Sequence, residues 1–254
     1  DKDQIKFENQ VELDKWIINE VKSLQNDVLK MYESYSYHKA VQKIHNFCVN
    51  ELGGIYLDIV KDRLYTCKFD SVARRSCQTS LDYLLNILVR LIAPILSYTA
   101  EEIWQSSERL NNQEESIFLS NYDLSEINEE SIITKSDWNR IFEIKNDVNQ
   151  SIEEMRNENQ LKGSLDANVL IEANKNDIKI LDKLGAELHF LFICSETNII
   201  ENNNFKIIVK SSSNQKCIRC WHRHESVGTS KKHPDLCNRC IENVDDEGEK
   251  RSFV

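Results

Sequence analysis

The sequence predicts a mainly α protein, in which a helical bundle is followed by a small α/β domain and a four-cysteine module. Apolar residues recur at helical spacing over most of residues 1–163, and the pattern then changes to alternation. Four of the eight cysteines form two close pairs in the last part of the sequence. The predicted boundaries are therefore 1–163 for the bundle with its C-terminal helix, 164–212 for the α/β domain and 213–254 for the four-cysteine module and tail.

The first two helical segments, residues 11–33 and 36–66, are amphipathic, with apolar side chains on one face and charged side chains opposite. Gly53 and Gly54 interrupt the second segment, which leaves a close contact between helices and a break in the helix as open alternatives. Amphipathic helices of this kind are not stable alone. We therefore expect them to bury their apolar faces against one another in a bundle.

The third helical segment, residues 81–95, has the broadest apolar face. Pro94 is expected to kink or end this helix, because proline has no backbone N–H to donate. Thr99 and Glu102 then fit a capping box for a short following helix. Residues 107–136 are polar, and we expect them to form an irregular excursion over the bundle.

A further long helix is predicted from the apolar residues between Trp138 and Met155, and it is expected to end near Lys162 and Gly163, with Gly163 as its left-handed cap. A short helix is predicted to end near Gly185. The α/β domain is expected to contain three strands, because the apolar residues there alternate or form short runs. These strands are predicted within 167–173, 188–194 and 205–210.

The paired cysteines predict a metal site. Cys217 and Cys220 form one C-x2-C pair, Cys237 and Cys240 form a second, and sixteen residues separate the pairs. Two such pairs place four thiolates around one ion in a tetrahedron, and thiolates favour zinc. No position stays open for water, so one structural Zn²⁺ is predicted. Two disulfides, four free thiols or a histidine in place of one cysteine are the alternatives; the candidate histidines are His222, His224 and His233.

Composition and motifs exclude several classes of protein. No apolar run approaches the roughly 20 residues that cross a bilayer, and residues 1–10 have neither a basic leader nor an apolar core. We therefore expect no membrane span, no signal peptide and a reducing cytoplasmic location, and Asp1 leads us to expect a piece of a longer chain. No phosphate-binding glycine loop, dinucleotide-binding turn or nucleophilic serine motif occurs, so no catalytic residue is predicted.

The charge of the sequence is segregated. The formal net charge is −10, yet residues 211–240 contain six Lys and Arg against two acidic residues. Cations interleaved with an aromatic residue suit RNA, because phosphates meet Lys and Arg while unstacked bases lie on rings. The alternative is that Trp221 fills the small core of the module and the charges face solvent. The candidate RNA contacts are Arg219, Trp221, Arg223, Lys231, Lys232 and Arg239.

Several blocks of the sequence resemble one known family. KCIRCWHRHESVG…HPDLCNRCIENV at 216–244 resembles the C-terminal zinc module of bacterial isoleucyl-tRNA synthetases, and residues 53–104 resemble their helical anticodon-binding domain. Residues 162–171 and 184–195 resemble the junction between the two. These blocks are collinear with the family and cover nearly the whole chain.

The resemblance implies a tRNA-binding portion of an aminoacyl-tRNA synthetase, which acts in protein biosynthesis. The parent enzyme would be an ATP-dependent isoleucine–tRNA ligase, whose ATP and Mg²⁺ bind in a catalytic domain with HIGH and KMSKS signatures. Neither signature occurs here. The implied partners are the anticodon arm of isoleucine tRNA and the catalytic body of the same enzyme, and we expect a monomer. The matching positions include the four cysteines, Arg74, Arg75, Arg219, Trp221, His222 and Arg239.

Two rival classes share the cysteine spacing. DNA glycosylases of the formamidopyrimidine type need an N-terminal proline nucleophile and a β-rich first domain, whereas residue 1 is Asp and the first hundred residues have helical spacing. We therefore expect no DNA partner. The second rival is a free-standing zinc-containing RNA-binding or protein-interaction module, derived from a split or decayed synthetase. It stays open at the level of the sequence.

Overall fold

The computed structural model describes residues 3–107, 114–122 and 131–254. Within these ranges the chain is mainly helical with one small sheet, which confirms the predicted fold class. No helix in the described ranges combines the length and the apolarity needed to cross a membrane. The helices are α1 Glu12–Glu33, α2 Tyr37–Phe47, a π-helical segment Cys48–Tyr56, α3 Leu57–Thr66, α4 Val72–Ile92, α5 Ser97–Ser106, α6 Lys135–Asn157, α7 Lys175–Leu181, α8 Leu188–Leu191 and α9 Asn238–Asp245. The strands are β1 Ala167–Ala173, β2 Glu196–Glu201 and β3 Lys206–Ser211.

The bundle is built around α1, which packs against both α2 and α4. Their apolar faces form one buried core that continues into α6 and the α/β domain. Three rings mark the contact between α1 and α6: Trp138 stacks on Phe142 with centroids 5.3 Å apart, and Trp16 lies 4.7 Å from Phe142. Most residues of the predicted apolar faces are therefore buried, whereas Tyr37 and Val41 of α2 and Leu85 of α4 are exposed.

Gly53 and Gly54 lie in the π-helical segment that joins α2 to α3. The helix is neither broken nor packed closely against another helix there, so neither alternative is correct. A Cβ at Gly53 would lie 2.9 Å from the carbonyl oxygen of Cys48, and one at Gly54 would lie 3.1 Å from that of Val49. Glycine therefore relieves the crowding of the π-helical backbone at both positions.

The helix ends partly differ from the prediction. Helix α4 ends at Ile92, two residues before Pro94, as expected. Helix α5 already begins at Ser97, and its N-cap Leu96 accepts the N–H of Ala100 at 2.8 Å. Thr99 therefore lies inside the helix, and the predicted capping box is wrong.

The end of α6 is also corrected. This helix ends at Asn157, and the left-handed residue that follows is Asn159, with φ of 58°. Gly163 is extended, with φ of −161°. The predicted glycine cap is wrong because asparagine, which tolerates the left-handed region, ends the helix earlier.

The sheet has the order β2-β1-β3, with β1 parallel to β2 and antiparallel to β3. Alternate residues of β1 are buried, as the sequence pattern predicts. The strand predicted at 188–194 is wrong, because α8 occupies its first half. Leu188, Phe190 and Leu191 are all buried there, and a continuous apolar run does not distinguish a buried helix from a strand. Strand β2 was not predicted.

Part of the polar excursion is described. Residues 114–122 contain a single 3-10 turn, Ile117–Leu119. The carboxylate of Glu101 accepts the N–H of Ile117 at 3.0 Å, which holds this turn against α5. The rest of the prediction for 107–136 falls largely on 108–113 and 123–130, which lie outside the described residues.

Candidate metal centre and its surroundings

The four paired cysteines form one cluster. The sulfurs of Cys217, Cys220, Cys237 and Cys240 lie within 4.8 Å of one another, and all four side chains are buried. The sulfurs of Cys220 and Cys237 are 3.7 Å apart. Tetrahedral zinc with bonds of about 2.3 Å separates its sulfur ligands by about 3.8 Å, so the arrangement fits one zinc ion.

The module has little else to hold it together. Its core consists of the four cysteines with Val227, and Leu236 packs against them. Hydrogen bonds from the thiols of Cys220 and Cys240 lower the pKa of Cys237 below its ordinary value. Several thiolates at this separation repel one another, and a divalent cation removes that repulsion. The donor set therefore suits a structural ion with no position left for substrate or water.

Local backbone contacts shape the first cysteine pair. The carbonyl of Cys217 accepts the N–H of Trp221 at 3.0 Å, and the Cys217 N–H donates to the carbonyl of His222 at 2.9 Å. Trp221 thereby takes a left-handed conformation with φ of 67°. In the second pair, Cys237 is the N-cap residue of α9, and its N–H points to the sulfur of Cys217 at 3.4 Å. Both pairs thus present sulfur to one point.

The structure does not support the other ligand sets. The cysteines form no disulfide. His224 bonds to Ser226, and His233 lies 2.9 Å from a carboxylate oxygen of Asp245. His222 is buried beside Asp62. None of the three histidines joins the sulfur cluster.

Asp62 of α3 is the main anchor of the module on the bundle. Arg239 of α9 donates two hydrogen bonds to its carboxylate, at 2.6 and 2.8 Å. Arg251 of the tail donates a third at 2.7 Å. Burial opposes ionisation of Asp62, but the hydrogen bonds and charge of Arg239 and the charge of Arg251 outweigh it and lower the pKa below its usual range. The module is therefore held by a partly buried carboxylate shared between two arginines.

Further contacts fix the orientation of the module. Arg223 donates to Asp166 at 2.6 Å and to the carbonyl of Asn214 at 3.0 Å. Arg219 donates through Nη1 to the carbonyl of Thr66 at the end of α3. The backbone N–H of Lys68 donates to Asn243 of α9 at 3.1 Å. The module is thus bound to the α/β domain and to the connection between α3 and α4.

The tail completes this attachment. The N–H groups of Glu12 and Leu13, at the start of α1, donate to the carbonyls of Ser252 and Phe253 at 3.0 and 2.9 Å. The first N–H groups of a helix have no partner inside it, so the tail satisfies two of them. Glu187 accepts the N–H groups of the last three residues at 2.8 to 2.9 Å. Bundle, α/β domain and module are therefore connected at one end of α1.

The predicted RNA contacts on the module fall into different environments. Trp221 is 60% exposed, so the alternative that it fills the module's core is wrong. Lys231 is exposed, and Lys232 pairs with Asp245 at 2.8 Å on the surface. Arg223 and Arg239 are engaged within the protein, as described above. All of these positions stay predictions as RNA contacts.

The two arginines predicted on the bundle lie in the first turn of α4, which contains no acidic residue. Arg75 pairs with Asp3 at 3.4 Å. Arg74 makes no ion pair with any residue in the described ranges, and its Nε is buried without a partner. A helix N-terminus carries partial positive charge, so Arg74 adds to a positive region at the start of α4 in which, among the described residues, Arg75 alone of the two arginines has an acidic partner.

Sequence reasoning missed the anchoring residues. Asp62 lies 177 residues from Arg239 in the chain, and it is one of several acidic residues on an amphipathic helix. Asp166 lies in the turn before β1, 57 residues from Arg223 in the chain, and it was missed because of that separation. The sequence did mark Arg239 as a candidate, because it lies between two cysteines of the metal-binding motif. Its position in the motif indicates a charged side chain but does not show whether the partner of that side chain is RNA or protein.

A cavity of about 690 Å³ lies between the module and the α/β domain, lined in part by His189, Phe190 and His222. Burial, and after it the charges of His222 and Arg251, lower the pKa of His189 to about 3. The pKa of His222 is also lowered, first by burial and then by Arg239. The cavity therefore offers neutral imidazoles and arginines that already have carboxylate partners, and we assign no ligand to it.

Replacing Asp62 is expected to destabilise the chain. The variant Asp62→Asn removes the charge that Arg239 and Arg251 share and leaves the two guanidinium groups with Glu249 alone, 3.5 and 3.0 Å away, which should cost about 2 kcal/mol. The loss in free energy of unfolding relative to wild type, measured with urea, should be largest at neutral pH. Because the pKa of Asp62 is lowered in the folded state, this loss should shrink as the pH falls below about 4. Asp70→Asn is the control, since Asp70 is exposed and 4.0 Å from Lys68. Equal unfolding midpoints for the two variants would contradict the anchor.

Comparison with known proteins agrees with this geometry. Residues 14–171 match the family described as "Anticodon-binding domain of tRNA ligase". Residues 214–243 match the "Zinc finger found in FPG and IleRS". The zinc finger match and the sulfur cluster together indicate one structural zinc site.

Similar curated proteins cover the whole chain. It is 40% identical over 263 residues to the isoleucine--tRNA ligase of Saccharophagus degradans, a match that includes 99% of this chain and 28% of that protein. The isoleucine--tRNA ligase of Hahella chejuensis is 41% identical over 268 residues, with 100% and 28% covered. That of Shewanella halifaxensis is 40% identical over 266 residues, with 99% and 28% covered. The chain therefore spans little more than a quarter of the length of these relatives.

Proposed function

The chain belongs to the family of anticodon-binding domains of tRNA ligases, and from this premise we propose that it is the C-terminal tRNA-binding portion of an isoleucine--tRNA ligase. In this proposal it recognises the anticodon arm of isoleucine tRNA. The observation that carries the proposal is that one chain contains both the bundle match and the zinc finger match. Its curated relatives named isoleucine--tRNA ligase are about 40% identical along almost all of it.

The catalytic part of the proposed enzyme lies outside this chain. We assign no catalytic residue here, and ATP and Mg²⁺ would act in the catalytic body, which is the second partner in the proposal. The remaining parts of the proposal are a monomeric state and a cytoplasmic location, where thiols stay reduced and available to zinc. The predicted boundaries, 1–163, 164–212 and 213–254, are the domains through which we propose the chain acts.

The module and the first turn of α4 support RNA binding in different ways. Trp221 exposes its ring beside Lys216, whose Nζ lies 5.8 Å from the ring centroid. An exposed ring stacks on an unpaired base, and nearby cations meet phosphates. Arg74 adds a cation without an ion-pair partner among the residues that the structure describes. We propose Trp221, Lys231 and Arg74 as the foremost direct contacts.

The engaged arginines have a supporting role in this proposal. Arg239 and Arg223 hold the module against Asp62 and Asp166, so that the exposed side chains keep one orientation relative to the bundle. A preorganised surface loses less conformational freedom when it binds. Arg219 and Lys232 each have one side-chain contact within the described part of the protein, Arg75 has two, and all three keep donors that are free to meet phosphate.

The test is the affinity of the zinc-loaded chain for isoleucine tRNA and for the same tRNA with its anticodon exchanged. Both are measured by fluorescence anisotropy at one salt concentration, because phosphate contacts make affinity strongly dependent on salt. We expect at least tenfold tighter binding of the native tRNA. Equal affinities would contradict anticodon recognition, and no binding of either tRNA would favour a protein-interaction module.

Removing a cation provides a second readout of the same experiment. Arg74→Ala should lower the affinity for both tRNAs alike and reduce the slope of log affinity against log salt by about one. Lys6→Ala is the matched control, because Lys6 is an exposed cation outside the α4 turn and the module, and it pairs only loosely with Glu8 at 3.9 Å. An unchanged salt slope for Arg74→Ala would remove this residue from the proposed surface.

A further inference from the structure

The connection between α3 and α4 carries two exposed aromatic side chains. Tyr65 in the last turn of α3 is 76% exposed, and Phe69 in the connection is 65% exposed. Neither ring stacks on another ring or on a cation in the described part of the chain. Single exposed apolar residues are common, but two large rings within five residues, beside a positive helix end, need a further reason.

This connection is held rigidly by the zinc module. Arg239 donates to the hydroxyl of Thr66 at 3.2 Å, and Arg219 donates to the carbonyl of the same residue. Asn243 accepts the N–H of Lys68 at 3.1 Å. On the other side, the hydroxyl of Ser71 caps α4 by accepting the N–H of Arg74 at 3.3 Å. The rings therefore project from a fixed backbone, and ordering them on binding would cost little conformational entropy.

The same contacts place the rings beside the proposed RNA surface. Arg219, which reaches Thr66, is two residues from the exposed ring of Trp221. Arg74 follows Phe69 by five residues and begins the positive end of α4. One direct hydrogen bond, from Arg219 to the carbonyl of Thr66, thus joins the segment that carries Tyr65 to the segment that carries Trp221.

The charges around the rings favour RNA over a protein partner. Lys68, Arg74 and Arg75 lie within the ten residues that contain both the connection and the α4 turn, and Asp70 is the exposed acid among them. A protein partner would need carboxylates or an apolar surface opposite these cations. RNA supplies phosphates for the cations and flat bases for the rings.

We propose that Tyr65 and Phe69, together with Trp221, form a stacking surface for unpaired bases of the bound tRNA. This inference rests on the proposed function and extends it to side chains that no motif marks. The rings act by their flat faces, so the contact requires an aromatic ring and does not require the Tyr65 hydroxyl. The surface accepts any base, and discrimination between bases belongs to other contacts.

The test compares four variants of the full zinc-loaded chain with isoleucine tRNA as the probe: Tyr65→Ala, Phe69→Ala, Tyr65→Phe and Tyr98→Ala. Tyr98 is the matched control, because it is 94% exposed on α5, away from the connection. We expect Tyr65→Ala and Phe69→Ala each to lose about fivefold or more in affinity. Tyr65→Phe and Tyr98→Ala should bind as wild type does, within about twofold. Zinc content and far-UV circular dichroism should match wild type in all four, since the side chains are exposed.

Two further readouts separate stacking from other causes. The salt slope should be the same in wild type and in both alanine variants, because no phosphate contact is lost. A 2-aminopurine placed at unpaired positions of the anticodon loop should be quenched on binding wild type, and less quenched by the double variant Tyr65→Ala, Phe69→Ala. Wild-type affinity in both alanine variants, or a loss that Tyr65→Phe shares, would overturn the stacking surface. Failure of the wild-type chain to bind tRNA would instead overturn the proposed function.

Discussion

Removal of the metal is expected to unfold residues 216–243 and to weaken tRNA binding, while the helical circular dichroism of the bundle is largely retained. The module's core is the cysteine cluster with Val227 and Leu236, which is too small to fold without the ion. Structural zinc contributes about 10 to 16 kcal/mol to the folding of comparable peptides. The bundle has a separate and far larger apolar core, so it does not depend on the metal.

The measurement follows ellipticity at 222 nm and tRNA anisotropy during titration with a chelator, and again after zinc is restored. Cys240→Ser should have the same effect as the chelator, because it removes one ligand from the cluster. Cys48→Ser is the control, since Cys48 lies in the π-helical segment, away from the module. Full tRNA affinity without metal would contradict the coupling between zinc and RNA binding. Loss of the bundle's helicity would contradict the independence of the two cores.

Breaking the buried ion pair of the bundle is the change with the second largest expected effect. Asp14 of α1 accepts two hydrogen bonds from Arg63 of α3, at 2.8 and 2.6 Å, and one from Tyr56 at 2.7 Å. Ser76 of α4 also donates to this carboxylate. Both partners are almost completely inaccessible to solvent. Arg63→Ala would leave the carboxylate buried without its cation, and we expect a loss of about 3 to 5 kcal/mol.

Lys61→Ala on the same helix is the matched control. Lys61 pairs with Asp58 at 2.9 Å, but both side chains are largely exposed, and exposed pairs of this kind contribute at most about 0.5 kcal/mol. Urea unfolding followed by circular dichroism compares the two variants directly. A double variant, Asp14→Leu with Arg63→Met, should recover part of the lost stability, because it removes both charges together. Arg63→Ala unfolding at the same urea concentration as Lys61→Ala would contradict the importance of the pair.

Particular residues show why some predictions succeeded and others did not. The C-x2-C pairs predicted the sulfur cluster correctly, because each pair closes within a turn of four residues. The strand at 188–194 was predicted wrongly, because a short apolar run is compatible with a buried helix and a buried strand alike. The helix caps predicted at Thr99 and Gly163 were wrong, because α5 begins before Thr99 and α6 ends before Gly163. Local pattern therefore predicted the kind of element better than its ends.

The sequence by itself determined the helical bundle, the alternating strand β1 and the four zinc ligands. These features depend on residues close together in the chain, whose spacing directly sets which side chains share a face or a turn. Only the tertiary structure decided that Asp62 binds Arg239, that Trp221 is exposed and that Tyr65 and Phe69 lie beside the module. Such contacts join residues far apart in sequence, and their geometry follows from how complete helices pack. The sequence shows only that an arginine is present. Whether its guanidinium group contacts a phosphate or a carboxylate of the protein is determined by how the helices pack.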